Sequence, residues 1–229
     1  MVVLFKVLSG KKAAIPAIAL LVALIQGCSY EKVNVRNEVE AAKYDPASMA
    51  RVRFFSSPEY SSSYQPGAAC EDFHPGKATD RKTYLRVYEN KESYILWRDA
   101  DLLGMKAEDY RNRVIGIPAS RTTETLKTDR LGYDEVVIPA GKPSVLAINY
   151  SMRSQEGSAS CYPSPVSLNP EAGKDYEVRL VFEKPQFLVT TCKLSVSELS
   201  EAGSPREVRE IKTDLCVKNE HYDYETVRK

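Results

Sequence analysis

Glu135-Val136-Val137-Ile138-Pro139-Ala140-Gly141-Lys142-Pro143-Ser144-Val145-Leu146-Ala147-Ile148-Asn149-Tyr150 is two apolar runs around a Gly/Pro turn. Short runs rich in Val and Ile and bounded by turn formers read as strands. Downstream, the turn cluster at 169–175 introduces Tyr176-Glu177-Val178-Arg179-Leu180-Val181-Phe182, where Tyr176, Val178, Leu180 and Phe182 share a face. A longer strand follows over 187–199, with Cys192, Leu194 and Val196 on one face and Lys193, Ser195 and Ser197 opposite. Residues 207–213 are a last candidate strand. Upstream, Ala50-Arg51-Val52-Arg53-Phe54-Phe55 alternates apolar with basic side chains in the pattern of a half-buried strand. A weaker strand is expected over 60–64, a turn at Gln65-Pro66-Gly67, and another alternating strand over 83–88. Between 92 and 113 the pattern loosens around Trp97, a core residue by its apolar neighbours, with helical turns expected over 99–103 and 107–111. Residues 119–128 read as an exposed loop or ragged strand. Strands separated by Gly/Pro turns, with only minor helical turns, predict a mainly β domain over residues 48–229, an antiparallel β-sandwich or open barrel.

The N-terminus has a different character. Lys6, Lys11 and Lys12 precede an uncharged apolar run from Ala13 to Ile25, the layout of an export signal over residues 1–27. Such a run spans about 20 Å as a helix, against roughly 30 Å of hydrocarbon, too short for a permanent membrane span. The run closes on Ile25-Gln26-Gly27-Cys28. These four residues resemble the lipobox of bacterial lipoproteins, and the resemblance implies that Cys28 receives a diacylglycerol, becomes the mature N-terminus and is acylated again on its amine with a palmitate-like chain. Two or three chains give stable anchoring where one does not. In the enterobacterial version of this pathway an aspartate after the cysteine retains the protein at the inner membrane. Ser29 stands there, so the analogy implies an outer-membrane anchor facing the periplasm. Residues 28–47, polar and weakly periodic, read as the lipidated cysteine and a tether, with a short helix over 38–43. About 17 such residues would reach at most roughly 60 Å.

Removal of the signal takes the basic residues from 32 to 29 against 31 acids, leaving a mature chain near neutrality. Without a basic stripe, nucleic acid is not an expected partner. Once Cys28 is given to lipid, Cys70, Cys161, Cys192 and Cys216 remain. An even number in an oxidising compartment predicts two disulfides. Of three connectivities the favoured one pairs Cys192 with Cys216, closing a short C-terminal unit, and Cys70 with Cys161. Zinc spacing is missing, so neither a metal nor a cofactor is expected.

Cys70-Glu71-Asp72-Phe73-His74 brings together a thiol, two carboxylates and an imidazole. A bridged Cys70 is no nucleophile, and alternate residues of an extended chain point apart, so this cluster reads as loop and no catalytic residue is assigned. No nucleophile elbow, phosphate loop, dinucleotide fingerprint or zinc-protease motif is present, and a non-enzyme is expected. Fourteen tyrosines supply apolar area with a hydroxyl handle, useful both in strands and at binding surfaces. In outline the chain resembles β-sandwich lipoproteins of Gram-negative envelopes. The expected function is therefore a lipid-anchored binding or scaffolding protein for an envelope protein or glycan; the alternative is an envelope enzyme, or an inhibitor of one, acting on the cell wall.

Overall fold

Alternation in the strand β2 (Met49–Ser56) turns Ala50, Val52 and Phe54 to one side and Arg51 and Arg53 to the other, and this strand is the middle of a seven-stranded sheet. The computed structural model describes residues 33–57, 59–73, 85–88, 91–96, 111–126, 131–154, 157–183 and 191–228. The first sheet runs in the order β1 (Val33–Arg36), β6 (Arg111–Val114), β7 (Gly132–Pro139), β2, β11 (Asp175–Phe182), β12 (Cys192–Gly203) and β13 (Arg206–Glu210). The second runs β15 (Tyr224–Val227), β14 (Asp214–Lys218), β10 (Val166–Leu168), β8 (Ser144–Ser154), β3 (Tyr60–Gln65), β5 (Lys91–Leu96) and β4 (Leu85–Tyr88), with β9 (Gly157–Cys161) also on β8. The Gly/Pro turn between β7 and β8 is the crossing from one sheet to the other. Gly141 takes φ +68° there, a left-handed conformation that costs glycine little.

The two sheets bury a shared face. Val52, Phe54, Val136, Ile138 and Val178 of the first meet Tyr64, Leu146, Ile148 and Val166 of the second in one continuous core. This is the sandwich that the alternation predicts. The second sheet is antiparallel throughout, whereas the first is mixed: β11 lies parallel to β2, and β6 is parallel to both β1 and β7. Parallel neighbours need a long connection, and here the chain between β2 and β11 supplies one by passing through the second sheet.

The structure corrects four sequence expectations. Residues 33–47, expected as tether, belong to the fold: β1 pairs with β6, the helix α1 (Glu38–Ala41) is capped by Asn37, and the buried Glu40 accepts the Val137 amide at 2.8 Å. The expected loop at 119–128 contains the helix α2 (Arg121–Thr125), because Ser120 and Thr123 form a reciprocal capping box. Arg53, expected on an open face, is 1% exposed, since alternation separates two faces without saying which is covered. The disulfides pair Cys70 with Cys216 and Cys161 with Cys192, at Cα separations of 5.1 and 6.3 Å. The favoured pairing assumed that Cys192 and Cys216 close a local hairpin, but β12 and β14 lie in different sheets. The helical turn expected over 99–103 lies outside the described residues, and none of the described helices is long and apolar enough to cross a membrane.

On the chain-entropy model the two bridges, closing loops of 146 and 31 residues, contribute about 5 and about 4 kcal/mol. A non-reducing digest should yield the Cys70–Cys216 and Cys161–Cys192 peptides, and C70A/C216A should lower the unfolding free energy in urea by about 3–5 kcal/mol.

Tyr60 packs edge-on against Tyr150, and its pKa is pushed up to about 12 by burial, with Tyr150 and Glu59 adding to it. The unfolded chain then loses this proton before the folded one does, so stability is full below about pH 10 and falls between about pH 10 and 12. The fall in that window should be smaller in Tyr60→Phe, measured by urea titration across the range.

Candidate functional site

Two regions concentrate polar chemistry, one on the outer face of each sheet. On the first, register places Arg53 directly between Glu135 of β7 and Glu177 of β11. Its Nε and Nη2 donate to Glu135 Oε1 at 3.0 and 2.7 Å, Nη1 donates to Glu177 Oε1 at 2.8 Å, and Nη2 also reaches the Ile117 and Pro118 carbonyls. The guanidinium lies 4.7 Å from the centre of the Tyr133 ring. Burial alone would lower its pKa, but the two carboxylates outweigh that and raise it. Glu135 Oε2 accepts the amides of Ile115, Gly116 and Ile117 at 2.8–3.1 Å. One register step away, Arg51 makes a two-point contact with Asp175, which also takes a bond from Arg206. The irregular segment 115–120, which follows β6, and its chain continuation into α2 roof this cluster. Most of its polar atoms are committed to one another, while Glu177 Oε2 is a buried oxygen without a hydrogen-bond partner among the described residues; the cluster acts as an internal staple.

The outer face of the second sheet is built differently. Ser63 of β3 and Ala147 of β8 are small, and Asn149, Cys216 and Lys218 point outward beside them. Between taller walls they form the floor of an open groove of about 480 Å3. Tyr224 and Phe73, edge to face at 5.2 Å, make one wall, and Tyr162-Pro163-Ser164-Pro165 the other. Tyr162 stands 66% exposed. Lys218 extends its ammonium over the Tyr224 ring at 5.3 Å, and among the described residues no carboxylate lines the groove. Burial raises the Tyr224 pKa, so its hydroxyl stays protonated through neutral pH.

The walls are braced. Cys70–Cys216 ties the Phe73 side to β14, and Glu71 accepts the Thr226 amide at 2.9 Å, holding β15 against the Cys70–Asp72 turn. The Cys161–Cys192 bridge fixes the residue before Tyr162, and Pro165 accepts the Cys216 amide at 2.8 Å. A groove held this way loses little ordering entropy when it is filled.

Of the residues singled out in the sequence, the four cysteines form both bridges and flank the groove. Glu71 is spent on the Thr226 amide, while Cys28, His74 and Trp97 lie outside the described residues. Among the described residues no group of three His, Cys, Asp or Glu side chains is placed to hold a metal ion. Sequence reasoning missed the groove because its residues come from positions 63 to 224 with no local motif; only Tyr162-Pro163-Ser164-Pro165, an aromatic in a rigid turn-rich segment, carries a local signal. Comparison with protein-family models, with curated proteins and with solved structures found no match.

The two regions should respond oppositely to substitution. Arg53→Met leaves Glu135 and Glu177 buried without their cation and should cost about 3–5 kcal/mol in chemical unfolding. Lys218→Ala, which strands no buried charge, should stay within about 0.5 kcal/mol of the parent.

Proposed function

We propose that this chain is a lipid-anchored binding module of the Gram-negative cell envelope, held through Cys28 at the outer membrane on its periplasmic side, with a glycan as the occupant of the groove on its second sheet. The observation that carries the reading is the groove itself, an aromatic-walled concavity with a polar floor. Its volume of about 480 Å3 sits within the roughly 300–1,000 Å3 of small-ligand sites, whereas a protein partner needs an interface of about 1,000 Å2 or more. Tyr162 and Tyr224 offer ring surfaces for the C–H faces of sugar rings, and Phe73, 3% exposed, backs the Tyr224 ring. Ser63, Asn149 and Ser164 offer hydroxyl and amide partners for sugar hydroxyls, and Lys218 favours an occupant carrying an acidic group. The lipid anchor is supported by the Ile25-Gln26-Gly27-Cys28 motif behind a basic, apolar leader. Two disulfides are compatible with an oxidising compartment outside the cytoplasm. The work is binding without turnover.

Titration of the isotope-labelled domain with soluble muropeptides and with lipopolysaccharide core oligosaccharides should shift the amide resonances of β14, β15 and 162–165 for at least one of them. Tyr224→Ala should weaken that binding at least tenfold, the loss of a stacking contact of about 1.4 kcal/mol. Absence of shifts with both glycan classes, or binding indifferent to Tyr224→Ala, would remove the glycan reading. For the anchor, Cys28→Ser should move the protein from the membrane to the soluble fraction, and intact mass should show acyl chains on the parent only.

A further inference from the structure

The fold begins close to its proposed anchor. Only residues 29–32 separate Cys28 from β1, and a chain step of that length spans at most about 18 Å in any conformation. A glycerolipid on Cys28 sits in the interfacial layer, about 5–8 Å thick on each side of the hydrocarbon. Val33 therefore cannot rise more than about 13 Å above the head groups. A tether of the length expected from sequence would have let the domain stand clear; the observed start of β1 does not.

The edge that arrives there is apolar. Val33, Val35 and Val39 are 55%, 42% and 78% exposed, all within β1 and α1 at the outer edge of the first sheet. Exposed sheet edges are ordinarily blunted with charge, and this one presents two valines from four residues. The charged side chains beside them are internally compensated: Arg36 pairs with Glu38 at 3.0 Å, and Lys43 with Glu40 at 2.7 Å. Within β1 and α1 the described ionic side chains Arg36, Glu38 and Glu40 are thus each engaged in a pair.

We propose that the β1–α1 edge rests on the bilayer, with Val33, Val35 and Val39 in the head-group layer. This rests on acylation of Cys28, and it goes beyond that reading by fixing which edge of the domain meets the lipid. The groove, on the outer face of the other sheet, is formed by none of these residues and stays open to the periplasm.

Hydrogen–deuterium exchange on the acylated full mature protein in phosphatidylethanolamine/phosphatidylglycerol vesicles, compared with soluble Cys28→Ser, tests the contact. Amides of β1 and α1 should exchange at least about threefold more slowly on vesicles, with β14 and β15 unchanged. A Gly/Ser insertion of about twelve residues after Ser29, adding an average reach of about 20 Å, should abolish the slowing while the protein still sediments with vesicles. The double variant V35D/V39D should do the same. Sedimenting parent protein with unchanged exchange in β1 and α1 overturns the proposed contact and leaves the anchor standing. Protein that neither sediments nor carries acyl mass overturns the anchor, and the contact with it.

Discussion

Arg53 cannot be buried alone. A guanidinium taken out of water without partners would cost several kcal/mol, a large part of a domain's stability margin, and the strands on both sides of β2 bring acids to it. β7 brings Glu135 and β11 brings Glu177, each in direct register with Arg53. A slip of one residue would also turn Val52 and Phe54 outward and push Arg51 or Arg53 into the sandwich core. The ion cluster and the apolar core thus select the same alignment from opposite faces of one strand. Buried ion pairs add little net stability compared with apolar packing, whereas removal of one partner is costly because it leaves an uncompensated buried charge. The same carboxylate organises the roof: three successive amides of 115–117 converge on Glu135 Oε2, and Ser120 both caps α2 and donates to Glu177.

That closed face explains why the open one is on the other sheet. The outer side of β2, β7 and β11 is filled with long side chains and capped by 115–120. The outer side of β3 and β8 carries Ser63 and Ala147, too short to fill the space between the Phe73–Tyr224 wall and the 162–165 segment. Concavity follows from side-chain size at neighbouring positions in the β3–β8 pair, where Ser63 stands directly opposite Ala147. Both cysteine bridges flank the result, one on each wall.

Legibility in the sequence divided along the same physical lines. Apolar alternation disclosed β2, β11 and β12, since half-buried strands write their period directly into the chain, and two apolar runs around a Gly/Pro turn disclosed β7 and β8. It said nothing about whether the polar half was wet. The mirrored spacing of Arg51 and Arg53 with Asp175 and Glu177 is the signal for a buried layer, but it acquires meaning only once β2 and β11 are known to be neighbours in parallel. α2 was readable from Ser120-x-x-Thr123, an N-terminal capping pattern with no apolar stripe behind it to draw attention. β1 was hidden because all its residues are exposed at an edge, so burial imprinted no alternation on it. The groove, gathered from six separate segments, had no local signature to find.

The long-range character of the fold gives the disulfides a role beyond stability. β11 joins β2 across 124 residues, and among the described residues β14 joins the body of the second sheet through short β10, where Val166 and Ser167 are its register partners. Sheets assembled from such distant pairings form slowly, and the last strands to dock are the least secured by hydrogen bonds. Cys70–Cys216 acts at that weak join. It clamps β14 to the Cys70–Asp72 turn, and through Glu71 and Thr226 the clamp extends to β15. Lys218 of the groove floor and Tyr224 of its wall therefore depend on this bridge more directly than the sandwich core does. The sandwich core meets β14 through Leu215, a partly buried residue packed against a cluster whose buried members come from β2, β3, β7, β8, β10, β11 and β12, so the core leans on β14 less than the groove wall does.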